Sequence, residues 1–208
     1  LSTSLGVTER DISGMGDVLL HQVPLMERLM EVRDGLDLVT AGCQLGKMKQ
    51  QNDATTKYGT ALKSALEGQC RKQDFVFISC PPASSLLVVN ALFCIREVMV
   101  PITGDCLSLQ GLSYLVGTFH NFETQLEHKI KQWFVLTRYH KRRRMLHEVF
   151  DKLMEYFPDR VFETRIREVA AMAECLRFKK IIFEYRKNSN DAEDYQSLAL
   201  DLTLERTV

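Results

Sequence analysis

The run Asp74-Phe-Val-Phe-Ile-Ser-Cys-Pro-Pro82 constrains this chain most. It has the composition of a buried strand, and two successive prolines, which cannot donate to a sheet ladder, end it abruptly. A helix-forming run, Leu86-Leu-Val-Val-Asn-Ala-Leu-Phe93, follows, and then a second apolar strand, Val98-Met-Val-Pro-Ile102. Strand, loop, helix and strand in this order make a βαβ unit, and open α/β sheets take ligands beside the C-terminal ends of their strands. Pro81-Pro82 therefore mark the edge where chemistry is expected. Ser79 stands just before them, where a phosphate enzyme that uses a metal needs a carboxylate.

The remaining segments extend the same alternation. Residues 1–15, rich in Ser, Thr and Gly, read as loop. Apolar positions at Val18, Leu19, Val23, Met26, Leu29 and Met30 recur near the helical period and predict a helix over 16–32. A short strand at 35–42 is bounded by glycines, and helical segments at 45–51 and 56–66 precede the strand at 74–80. Beyond the strand at 98–103, a mostly helical stretch covers 107–131, followed by a strand at 132–137. Residues 140–157 form an amphipathic helix with Met145, Leu146, Val149, Phe150, Leu153 and Met154 in one stripe. A strand at 160–166, a helix at 169–178, a strand at 181–185 and a closing helix from Asp191 to about 204 complete the chain. Strands separated by helices predict an α/β fold with a largely parallel sheet covered on both faces. With no repeat or linker, residues 1–208 read as one domain.

Charge balances at 27 basic against 27 acidic residues, so affinity for nucleic acid or membrane has to come from a local patch. No apolar run reaches the roughly 18 residues of a spanning helix, and no signal-peptide pattern opens the sequence. A cytoplasmic protein without a membrane partner is expected. Cys43, Cys70, Cys80, Cys94, Cys106 and Cys175 form no C-x-x-C pair and lack zinc-like histidine spacing, which reads as free thiols. His21, His120, His128 and His140 have no convergent partners, and Ser84-Ser85 has no nearby base. No residue is assigned as catalytic or metal-binding. The opening Leu1 is read as a fragment, a processed product or an unusual start.

Taken in order, six segments resemble the ParA/MinD family of partitioning ATPases, in its ParA/Soj branch. Leu1-Ser-Thr-Ser-Leu-Gly6 is similar to the end of that family's Asp-Pro-Gln-Gly-Asn…Ser-Leu-Gly segment, and Leu36-Asp-Leu-Val-Thr-Ala41 to its "gldliPa" strand. Asp74–Asn90 resembles "yDyiliDcPPs…l..Nal", and Val100-Pro-Ile-Thr-Gly104 with Leu109-Gln-Gly-Leu112 resembles "iPv…e..al.gl". Val135–Arg144 is similar to "giltmyd.rt", and Phe178–Tyr195 to "s.gkpi.eYd..s.ga.aY". The resemblance implies a doubly wound P-loop sheet that binds Mg-ATP and dimerises around it. It also implies sequence-neutral DNA binding by the dimer, and hydrolysis triggered by a ParB-like partner.

Phosphoryl transfer needs a phosphate cradle, a metal and a positioned water. No G-x-x-x-x-G-K-[ST] cradle occurs in the 208 residues, and Gly14-Met-Gly16 is the nearest glycine pair. The fold is expected to lack the family's first βαβ element, making residues 1–208 an N-terminally incomplete ParA-like domain. Against the family pattern, the Walker B Asp falls on Ser79, within a degenerate region of Ser79, Cys80, Pro81 and Pro82. The "IPRNV..AEAPS.GK" stretch that shapes the nucleotide pocket becomes Ile166–Lys180, with Arg167 and Lys179 replacing a proline and the glycine. Thr137, Ile166 and Arg167 are the candidate remnant of that pocket. The chain as given is expected to be inactive and without cofactor, with ATP and Mg implied if a phosphate loop exists upstream.

Lys129, Lys131, Arg138, Lys141, Arg142, Arg143 and Arg144 follow one another without an intervening acid. Arg138 and Lys141–Arg144 are the candidate DNA contacts, since clustered cations neutralise backbone phosphate without reading sequence. Arg165, Arg167, Arg177, Lys179, Lys180 and Arg186 are available to extend the surface, but their facing is not legible in the sequence. The leading expectation is a ParA-like partitioning protein, an incomplete or degenerate P-loop ATPase with DNA, a ParB-like protein and a second copy as candidate partners. The alternative is a module on the same scaffold that binds DNA or a partner without nucleotide.

Overall fold

The computed structural model describes residues 2–7, 13–48, 60–70, 72–80, 86–104, 111, 116–117, 119–124, 129–140 and 144–208. The chain divides into two compact units, Leu1–Ile95 and Arg96–Val208.

In Leu1–Ile95 the predicted helix over 16–32 is shorter than its periodicity. Helix α1 spans Met15–His21 and ends at Gln22, which adopts a left-handed φ of 55°. Pro24, lacking an N–H, opens a 3-10 turn at Leu25–Arg28 instead of continuing the helix. Strand β1, Met30–Arg33, then pairs antiparallel with β2, Leu36–Leu38, across Asp34-Gly35. Gly35, at φ 69°, supplies the conformation that a two-residue hairpin turn needs. Helices α2 (Leu45–Met48), α3 (Ala61–Leu66) and α4 (Leu86–Cys94) follow. Leu19 and Leu62 centre a small core with Met15, Leu45, Ile78, Leu86 and Leu87 around them. Asn90, buried on α4, accepts from the Leu62 backbone N–H at 3.1 Å and donates to the Leu86 carbonyl at 2.9 Å, which fixes α3 to α4.

Gly14 and Gly16 serve backbone packing. A Cβ on Gly14 would collide with Thr40, and one on Gly16 with Gln44 and Leu45. The predicted strand at 74–80 has no regular secondary structure, and Phe75, Val76 and Phe77 are 57, 50 and 76% exposed. A strand is made by its ladder partners, and among the described residues none pairs with 75–80.

In Arg96–Val208 three parallel strands lie in the order β3 (Glu97–Thr103), β4 (Lys131–Tyr139), β5 (Val161–Arg167). Helix α5, Arg144–Tyr156, makes the crossover between β4 and β5. Side chains of β4 alternate between two cores, as strand geometry requires. Phe134 and Leu136 pack with Ile102, Val161 and the α5 residues Leu146, Val149 and Leu153. Trp133 and Val135 pack with Phe162, Ile166 and Leu198. Leu198 belongs to α8, Asn190–Leu204, so helices cover both faces. Within the predicted stripe of α5, Phe150 and Met154 are partly buried against the core, while Met145 is 41% exposed.

Trp133 is clamped on several sides. Phe162 stacks on it at 5.1 Å, its Nε1 donates to Glu97 Oε2 at 2.6 Å, and Lys131 Nζ lies 4.2 Å from the ring centre. Lys131 also pairs with Glu205 at 2.7 Å.

Strand β5 has β4 on one side, and several of its other backbone groups are met by other means. Buried Asp201 accepts from Thr164 N at 2.8 Å, and buried Asp194 from Arg167 N at 3.0 Å. Thr207 bridges Phe162, and Val208 N donates to the Val161 carbonyl at 3.0 Å.

Helix α6, Ala170–Phe178, ends on Lys179, which is left-handed at φ 54°. Lys179 N bonds to the Leu176 carbonyl and Lys180 N to the Cys175 carbonyl, the paired bonds of a Schellman turn. The predicted strand at 181–185 is a short helix instead, α7, Ile182–Tyr185. Its β-branched start favours a strand. Capture of Ile181 N by the Glu184 carboxylate, with burial of Ile182 against Ala171, Cys175 and Ala192, decides for the helix.

Candidate functional site

The C-terminal ends of β4 and β5 bring Thr137, Arg138, Tyr139, Arg165, Ile166 and Arg167 to one edge of the sheet. Strand polarity causes this, because parallel strands deliver their last residues to the same side. The Thr137 hydroxyl donates to the Ile102 carbonyl on β3 at 3.3 Å. Arg138 sits where the β4–β5 register slips, with φ at 51° and its side chain exposed. A left-handed arginine inside a strand is strained, and the bulge turns it out of the ladder. Arg165 donates to the Tyr139 hydroxyl at 3.2 Å and lies over the rings of Tyr139 and Phe150, at 5.2 and 4.8 Å.

Arg167 is the most heavily bonded group at this edge. Its Nε lies 3.1 and 2.9 Å from the two Asp194 carboxylate oxygens, and an Nη donates to Oδ1 at 2.6 Å. The same nitrogen donates to the Asn190 carbonyl at 3.0 Å, with Glu193 3.6 Å away. The hydrogen bond to Asp194 raises the Arg167 pKa above its ordinary value, so the guanidinium is held charged. Asp194 carries no signal as a sequence site. Only its departure from the small residue of the "s.ga.aY" pattern could have marked it.

Ile166 is 5% exposed and belongs to the core beside Trp133 and Phe162. Ser79 and Cys80 are exposed and outside regular secondary structure, and Pro81 and Pro82 lie outside the described residues. Lys141, Arg142 and Arg143 also lie outside them, and Arg144 opens α5. Lys131 and Arg138 of the basic run are not one patch in space. Lys131 starts β4 and Arg138 nearly ends it, so at about 3.3 Å per residue they lie on the order of 20 Å apart. Cys43, Cys70, Cys80, Cys94 and Cys175 are free thiols, and Cys106 is outside the described residues. Among the described residues, no three His, Cys, Asp or Glu side chains converge on a metal position, and no helix is long and apolar enough to cross a membrane.

A parallel sheet with helices on both faces and its polar residues gathered at the C-terminal strand ends defines the doubly wound class of α/β proteins. Residues 1–132 match the model of the AAA domain family, and the chain belongs to that family, within its ParA/MinD group of partitioning ATPases. It is 29% identical over 209 residues to the chromosome partitioning protein ParA of Myxococcus xanthus, covering 96% of this chain and 72% of that protein. To the sporulation initiation inhibitor protein Soj of Bacillus subtilis it is 27% identical, covering 97% of this chain and 81% of that protein. A plasmid partition protein of Borrelia burgdorferi, solved bound to AMPPNP, superposes with a TM-score of 0.76 at 20% identity, over 92% of this chain and 74% of its own. That likeness establishes the P-loop ParA-type fold.

Proposed function

We propose that this chain is a ParA-like partitioning protein, acting in plasmid, chromosome or other cargo segregation, whose nucleotide site is incomplete or degenerate. The Arg167–Asp194 pair carries the reading. Arg167 stands where the family pattern has proline and Asp194 where it has a small residue, so both partners of the ion pair are departures. A guanidinium held by two carboxylate oxygens and a backbone carbonyl is engaged by the chain itself, although its side chain is 40% exposed, in the stretch that shapes the family's nucleotide pocket.

The donors present do not fit Mg-ATP by themselves. Ser79, at the position matching the metal carboxylate, offers a neutral hydroxyl to an ion that prefers carboxylate oxygen. The 208 residues contain no G-x-x-x-x-G-K-[ST] cradle. No step through the metal or nucleotide follows from these residues.

Calorimetric titration of the full-length protein with ATP tests this reading. With a degenerate site, Mg²⁺ leaves the affinity unchanged and Ser79→Asp makes it Mg²⁺-dependent. Binding by the native protein that already strengthens with Mg²⁺ would falsify it. The second reading, a nucleotide-independent module for DNA or a ParB-like partner, is favoured by one observation. Arg138 is exposed and strained at the strand edge, three residues before the Lys141–Arg144 run. DNA binding that ignores ATP and weakens steeply with salt would select it.

A further inference from the structure

Helices α6 and α7 bury Ala171, Cys175 and Ile182 and leave a group of large apolar side chains outside. Leu176 is 55% exposed, Phe178 54% and Phe183 36%. Exposed Arg177, Lys179, Lys180 and Lys187 lie among them. Residues 174–187 hold five cations, Arg177, Lys179, Lys180, Arg186 and Lys187, against Glu174 and Glu184, in a chain whose formal charge is zero. Both acids are engaged locally. Glu174 accepts the Tyr185 hydroxyl at 2.9 Å and lies 3.7 Å from Arg186, and Glu184 accepts Ile181 N at 2.9 Å. The left-handed turn at Lys179 folds α7 back, and Phe178 stacks on Tyr185 at 5.3 Å, so the two helices form one corner.

The partner of such a corner must reward both kinds of side chain. Sequence-neutral contact with duplex DNA runs through its phosphates and would use the cations while leaving Leu176 in water. A bilayer with anionic headgroups uses both, attracting the cations at its surface and receiving Leu and Phe tips at the boundary with the acyl chains. We propose that the α6–α7 corner is a peripheral contact surface for anionic bilayers, with Leu176 and Phe178 entering the headgroup region.

Flotation of the full chain with phosphatidylcholine vesicles, with and without phosphatidylserine, tests this. The chain floats with the serine-lipid vesicles and stays behind with phosphatidylcholine alone. Leu176→Ser, at an exposed position that leaves the melting temperature unchanged, lowers the bound fraction by roughly tenfold. The double variant Arg177→Gln/Lys180→Gln, which keeps every apolar contact, lowers it as well. Absence of flotation with serine-lipid vesicles overturns the proposal. Flotation that Leu176→Ser leaves unchanged also overturns it, and assigns the corner to polyanions through charge alone.

Discussion

The four β4 residues Trp133–Leu136 are 3, 0, 2 and 1% exposed, while Phe75, Val76 and Phe77 in the other unit are 57, 50 and 76% exposed. The two runs are equally apolar, yet only one is a strand. The difference lies in their neighbours. β4 has β3 on one side, β5 on the other, and α5 and α8 on its faces. Residues 75–80 have no ladder partner among the described residues. The match to the AAA domain model follows a different line from packing. The matched residues 1–132 take in the whole of Leu1–Ile95 but only the start of β4. Motif residues can be recognised before their packing partners are in place, whereas a core exists only where both sides meet.

The largest expected effect tests that contrast directly. Phe134→Ala empties a site that is 0% exposed and costs about 3–5 kcal/mol in urea melts, whereas Phe77→Ala changes stability by roughly 0.5 kcal/mol or less. Equal losses would mean that both runs are core and would break the comparison. A middle-sized effect comes from the acids that serve β5. Asp194→Ala leaves Arg167 N without its acceptor and costs about 1–3 kcal/mol, and Asp194→Asn, which keeps an acceptor oxygen, costs less. If the alanine variant melts like the native chain, the pair is no lock and the argument for a rebuilt pocket weakens. The smallest effect has the opposite sign. Lys179→Gly relieves a left-handed side-chain residue and raises stability by about 1 kcal/mol, measured by the same denaturation. A loss would show that the lysine side chain contributes more than its backbone costs.

Most of the second unit was legible because its periods are strong. The α5 stripe, the strands ending at 137 and 166 and the closing helix all follow from spacing, and Ser189 caps that last helix by accepting from Ala192 N at 3.3 Å. The hairpin at 30–38 carried its own signal, Asp34-Gly35, but helical spacing through Met30 outweighed it. Ile181-Ile-Phe183 read as strand because propensity is local, while the burial of Ile182 that made it helix is not. At the candidate site, Arg167 could be singled out from the family pattern. Its partner was marked only by departing from the pattern's small residue, and the pairing itself was not legible, because a carboxylate 27 residues away becomes a partner only after α8 folds against β5. Lys131 and Arg138 are neighbours in the basic run but stand near opposite ends of β4, because adjacency in sequence on a strand becomes separation in space.

Trp133 gives the chain an optical reporter. It is the single tryptophan, stacked on Phe162 and shielded at 3% exposure inside Arg96–Val208. Its emission will redden when that unit opens. Ellipticity at the helical band counts both units. Superimposed on one denaturant axis, the two curves distinguish a chain that melts in one step from one that melts in two, with no label added.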